Sequence, residues 1–74
     1  MPKVTIRSIK RQSIMSDSDW AYLQARLNAP LQLMSISWWR STNRVSTFAV
    51  YAGDSVITVF PDEQLVDFEV DFNG

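Results

Sequence analysis

The chain has no cysteine, no histidine, only two glycines and three prolines, and no apolar run that approaches 18 residues. Each absence removes a class of protein. Without cysteine there is no disulfide framework. Without cysteine or histidine there is no zinc site built on those ligands and no Cys or His nucleophile or base. Gly53 and Gly74 make no glycine-rich phosphate loop, which removes nucleotide folds that rely on a P-loop or a G-x-G-x-x-G turn. The first twelve residues carry Lys3, Arg7, Lys10 and Arg11 and no apolar leader core, so neither a signal peptide nor a membrane span is expected and the expected compartment is the cytoplasm. Bases are also missing from one whole region. Residues 45–74 hold six acids (Asp54, Asp62, Glu63, Asp67, Glu69, Asp71) and no base, for a formal charge of −6. Residues 1–44 hold all seven bases and two acids, Asp17 and Asp19, for +5. The total of −1 conceals a dipole along the sequence.

The 74 residues, 46% hydrophobic and 12% aromatic, are expected to form one domain spanning 1–74, near the lower size limit for a single core without staples. A chain this small is expected to be a monomer or a small homo-oligomer. Residues 3–14 alternate apolar and polar side chains at Val4 and Ile6, then shift face at Ile9, which predicts a strand with a bulge or early end near Ser8 to Lys10. Ser16, Asp17, Ser18 and Asp19 supply helix-capping chemistry, with acids where the helix dipole favours them. Trp20, Leu23 and Leu27 then recur at helical spacing, and Asn28-Ala29-Pro30 is a stop. From Leu31 the period changes to two. Residues 31–40, 45–52, 55–60 and 64–72 read as strands, separated by Ser41-Thr42-Asn43, by Gly53-Asp54 and by Pro61-Asp62-Glu63. The last has the cleanest alternation, with Val66, Phe68, Val70 and Phe72 on one face and Asp67, Glu69 and Asp71 on the other. The predicted fold is α+β: one amphipathic helix on an antiparallel sheet of four or five strands, in the order β-α-β-β-β-β.

Catalytic chemistry is sparse. The serines form no Gly-x-Ser-x-Gly turn, and nothing places one beside Lys3 or Lys10. Asp67, Glu69 and Asp71 point outward in a row instead of converging, which suits a solvated face better than a metal site. The expectation is a protein without enzymatic activity, cofactor or metal.

Three binding features remain. Trp38, Trp39 and Arg40, with Arg44 across the turn, combine the residue types most enriched at interface hot spots; since strand neighbours face opposite ways, one tryptophan is expected to enter the core and the other to stay outside. The acidic row of Asp62, Glu63, Asp67, Glu69 and Asp71 has i to i+2 spacings of ~6.6 to 6.8 Å, close to the phosphate repeat of one nucleic-acid strand, and it also discourages edge-to-edge aggregation. Arg7, Lys10 and Arg11 form a basic first strand that either tracks phosphates or is neutralised by the acidic last strand. The favoured function is a small protein-binding regulator or inhibitor that occupies a partner's basic surface, as phage proteins that block host nucleic-acid enzymes do, with Trp39, Arg40, Arg44, Asp67, Glu69 and Asp71 in contact. The alternatives are a single-stranded RNA- or DNA-binding module using Trp38, Arg7, Lys10 and Arg11, and a structural subunit of a homo-oligomer.

Overall fold

The computed structural model describes residues 1–40, 44–61 and 66–73. Its elements run β1 (Lys3–Ile9), α1 (Asp17–Ala25), β2 (Pro30–Trp38), β3 (Val45–Ala52), β4 (Ser55–Val59) and β5 (Val66–Asp71). The five strands form one antiparallel sheet in the order β4-β3-β2-β1-β5, an α+β fold with its helix between β1 and β2. The turn expected at 41–43, and Asp62 and Glu63 of the acidic row, lie outside the described residues.

Local signals explain the boundaries. The Ser16 hydroxyl accepts the Asp19 backbone N–H at 3.1 Å and caps α1, with Asp17 and Asp19 in the first turn. The helix ends before Asn28, which takes a left-handed φ of 66° and donates its N–H to the Ile6 carbonyl at 2.8 Å; Pro30 then opens β2. Gly53, at φ 63°, is the first central residue of the two-residue β3–β4 loop, where an L side chain would be strained.

Apolar spacing dictates three irregularities in the sheet. Val4 and Ile6 are buried, and Ile9 packs against the same core, a spacing of two and then three. Strict pleating would send Ile9 outward. The β1–β5 register therefore shifts between Ile6 and Ser8, leaving Arg7 as the extra residue. In β2 the inward residues Leu31, Leu33 and Ile36 have the same two-then-three spacing, and the register against β3 shifts between Leu33 and Ser35. A further shift beside Ser46 keeps both Val45 and Phe48 inward. These bulges increase the local twist and curl the sheet. The rings of Phe48 on β3 and Phe68 on β5 meet at 4.9 Å between centroids. On a flat sheet, three strand spacings of roughly 4.8 Å would separate those strands by about 14 Å.

The concave face holds the core of Val4, Ile6, Leu31, Leu33, Phe48, Val50, Ile57 and Val59, and α1 contributes Leu23. Trp20 and Tyr22 on the helix and Leu27 beyond it are half-buried at the edge of this core. Among the described residues, one polar side chain is buried with it. Gln12 is 1% exposed, donates through Nε2 to the Phe60 carbonyl and accepts the Phe60 N–H at Oε1, both at 2.9 Å. Its amide thus behaves as a one-residue strand, tying the end of β4 to the loop that follows β1.

Candidate functional site: an aromatic arm at the end of an acidic strand

The β2–β3 hairpin continues past the core. The Trp39 N–H donates to the Arg44 carbonyl at 2.8 Å, which brings Arg44 opposite Trp39 and makes an arm of Trp38, Trp39, Arg40 and Arg44. Trp38 is 47% exposed and Trp39 52% exposed. The expectation that one tryptophan enters the core is therefore corrected. Trp38 does share the inward face, since it is the register partner of Val45, which packs on the core. The last buried residue of β2 is Leu33 and its end is exposed, so at Trp38 the inward face is itself open to solvent.

Trp38 instead stacks on Phe72, with centroids 6.5 Å apart and planes inclined by 28°. Phe72 directly follows β5 and is 56% exposed. Two features that lie far apart in sequence, the aromatic arm and the end of the acidic strand, are brought together by this stack, which lies on the face opposite Asp67, Glu69 and Asp71. Alternation places Phe72 on the inward face; its contact with Trp38 is a tertiary fact with no local signal.

Along β5 the faces separate as the alternation predicts: Val66, Phe68 and Val70 half-buried, Asp67, Glu69 and Asp71 exposed. β1 lies beside it, pairing Lys3 with Asp71, Val4 with Val70, Thr5 with Glu69 and Ile6 with Phe68. The basic first strand and the acidic last strand are thus neighbours. The bulge turns Arg7 towards two acids: Nη2 is 2.9 Å from Glu69 Oε2 and Nη1 is 3.8 Å from Asp67 Oδ1. The hydrogen bond that Arg7 donates to Glu69, then the charge of Glu69, raise the Arg7 pKa above its ordinary value and favour the charged guanidinium. Asp71 is held differently, its Oδ1 accepting the Asn73 N–H at 2.9 Å.

The rest of the candidate nucleic-acid set is dispersed. Arg11 bonds the Asp17 carboxylate at 2.6 Å and the Met15 carbonyl at 3.2 Å, which engages it with the helix N-terminus. Lys10 makes no ion pair among the described residues. Arg7, Lys10, Arg11 and Trp38 therefore do not present four uncommitted phosphate or base contacts. No group of three acids among the described residues is arranged to hold a metal ion.

A shallow depression of about 420 Å³ lies between the end of α1 and the β3–β4 turn, lined in part by Tyr22, Arg26, Gln32 and Tyr51. Arg26 is laid over the Tyr22 ring, 3.6 Å from its centroid, and donates to the Tyr22 carbonyl at 3.4 Å. The i to i+4 spacing of these two residues is the sequence signal that could have revealed the pair. No lining residue is a carboxylate, lysine or serine, so this concavity offers none of those groups for proton transfer or nucleophilic attack.

No protein-family model, curated protein or solved structure matches this chain. Among the described residues, no helix is long and apolar enough to cross a membrane.

Proposed function

We propose that this is a non-enzymatic protein-binding module, a regulator or inhibitor that acts in the cytoplasm by covering a partner's surface. The observation that carries this reading is the Trp38–Phe72 stack, which holds the exposed aromatic-arginine arm against the end of the acidic strand. Exposed tryptophans and arginines are the side chains on which interface energy concentrates, because they bury large area and still donate hydrogen bonds. Acids beside them orient a partner whose surface is basic, such as the groove of a nucleic-acid enzyme. Cross-strand pairing of Arg7 with Glu69 supports the same reading over a phosphate track, because a guanidinium already bonded to a carboxylate gains less from phosphate.

The test compares the tagged wild-type chain with Trp39→Ser and Arg40→Ser variants. The partner is recovered from the source cell with the wild type, purified and titrated against each chain. Loss of one anchor should weaken binding by roughly thirtyfold, the equivalent of a 2 kcal/mol hot spot, with the circular dichroism spectrum unchanged. Equal affinity for all three chains would remove the arm from the interface. Retention of single-stranded oligonucleotides with a steep loss on adding salt would instead assign the surface to nucleic acid.

A further inference from the structure

The outer edge of β5 is the second feature of this surface. Among the described residues β5 terminates the sheet, with β1 on one side and no strand on the other. Its inward residues are unevenly covered: Val66, Phe68 and Val70 are half-buried and Phe72 is exposed, whereas Val4 and Ile6 on the neighbouring strand are fully buried. The difference is what an edge produces, since Val4 is flanked by strands on both sides and Ile6 by β5 and the loop at Asn28, whereas the β5 residues are flanked on one. A further strand laid against this edge would cover them.

The geometry points to β5 as an acceptor edge for an extended segment of a partner protein whose residues alternate basic and apolar. This rests on the protein-binding reading above and specifies the partner's chemistry. β1 already displays the complement that β5 accepts. Across the β1–β5 ladder, apolar Val4 and Ile6 face Val70 and Phe68, Lys3 faces Asp71, and the guanidinium of Arg7 reaches Glu69 and Asp67. On the free side the same three carboxylates project from the same face, and the half-covered apolar residues from the other, so a strand of like pattern meets both in register. Backbone hydrogen bonds to the unpaired edge would supply affinity, and the alternating faces would supply selection, as in other β-strand additions. The acids act here as a filter. A second copy of β5 would set Asp67, Glu69 and Asp71 against themselves, so self-pairing is opposed while a basic strand is admitted.

A peptide of the pattern Lys-Val-Lys-Ile-Lys-Val-Lys, capped at both ends, is the probe. It is compared with a peptide of the same composition in which the four lysines are consecutive, and with an alternating peptide N-methylated on every second amide. Added to the isotope-labelled chain, the alternating peptide should slow hydrogen exchange at those β5 amides that do not bond to β1. It should bind about tenfold more tightly than either control, which is the scale of three cross-strand charge pairs acting together. Asp71 lies outside the core, so Asp71→Lys should keep the native spectrum, lose affinity for this peptide and regain it for one carrying glutamate at the facing position. Equal binding of the alternating and consecutive-lysine peptides would reduce the effect to bulk charge and overturn strand addition. So would unchanged exchange across β5. The two readings fail separately. If the peptide is ignored but Trp39→Ser still releases the natural partner, strand addition falls and the anchored surface stands. If the peptide docks while the partner is indifferent to Trp39, the aromatic anchor falls and the strand edge stands.

Discussion

Replacing Gln12 by leucine tests the least expected contact in the fold. The native amide satisfies both backbone groups of Phe60 through two 2.9 Å hydrogen bonds across 48 residues of sequence, in a position 1% exposed. Leucine fills a similar volume but leaves a donor and an acceptor at Phe60 without partners. A buried polar group left unpaired costs about 1–3 kcal/mol, so two give roughly 2–6, and the apolar gain of leucine offsets part of this. A net loss of about 3 kcal/mol is expected, which for a chain of this size lowers Tm by roughly 12–24 °C. Urea denaturation followed by tryptophan fluorescence should show a lower midpoint at unchanged slope. An unfolding free energy within about 0.5 kcal/mol of wild type would refute this and mean that water serves Phe60 equally well. Gln12→Glu provides a sign test. Its carboxylate can accept the Phe60 N–H but faces the Phe60 carbonyl with no proton to donate. Protonation restores the donor, and burial raises the folded-state pKa of the new carboxyl above its unfolded value. The stabilising protonated form is then fully present below the unfolded pKa and lost as pH rises through the folded one, so this variant should recover stability towards acid relative to Gln12→Leu.

Other outcomes follow from the same geometry. Phe48→Ala should cost about 3–5 kcal/mol in the same urea experiment, because Phe48 is fully buried at the centre of the curl, and Phe68→Ala should cost less because its ring is half-buried on the edge strand β5. Trp38→Ala should expose more of Phe72 while leaving the midpoint nearly unchanged, read as a chemical-shift change confined to the arm and the end of β5. Single-stranded oligonucleotides should show no steeply salt-dependent binding by fluorescence anisotropy, given that Arg7 and Arg11 are both engaged by carboxylates.

Much of this architecture is legible in the residue pattern, and the misses have one physical origin. The helix cap at Ser16, the stop at Asn28, the Gly53 turn and the two faces of β5 are local: each depends on neighbours within a few residues, which the sequence displays directly. The β1 bulge was also visible as the change of face from Ile6 to Ile9, although the register shift falls at Arg7, slightly before the expected position. The same two-then-three spacing in Leu31, Leu33 and Ile36 marks the bulge in β2, and a strict period of two concealed it. Gln12 gave no signal, because an amide in a polar loop looks the same whether it meets water or a strand end 48 residues away. The exposure of Trp38 has no local signal for a related reason. Alternation reports which face a side chain takes, but how far the covering helix extends along that face is settled by packing.

The charge split raises a question that ionic strength can answer. Folding brings the basic first strand beside the acidic last one, so the sequence dipole becomes a set of cross-strand neighbours, with Arg7 bonded to Glu69 at 2.9 Å and Lys3 opposite Asp71. These partners are half-exposed, and exposed ion pairs contribute little to stability; the buried apolar faces and the bulge at Arg7 already define the register that the charges merely match. Contact pairs and long-range fields also respond differently to salt. At 0.1 M the screening length is about 10 Å, so added salt acts first on the approach of a distant partner and least on groups already in contact. Raising NaCl should therefore leave Tm nearly flat while slowing association with a basic partner, measured by stopped-flow tryptophan fluorescence. A steep fall in Tm would mean that the β1–β5 charges hold the fold together and have little left to offer a partner. An association rate indifferent to salt would make the acids of β5 a solubility device, and recognition would then rest on the aromatic arm alone.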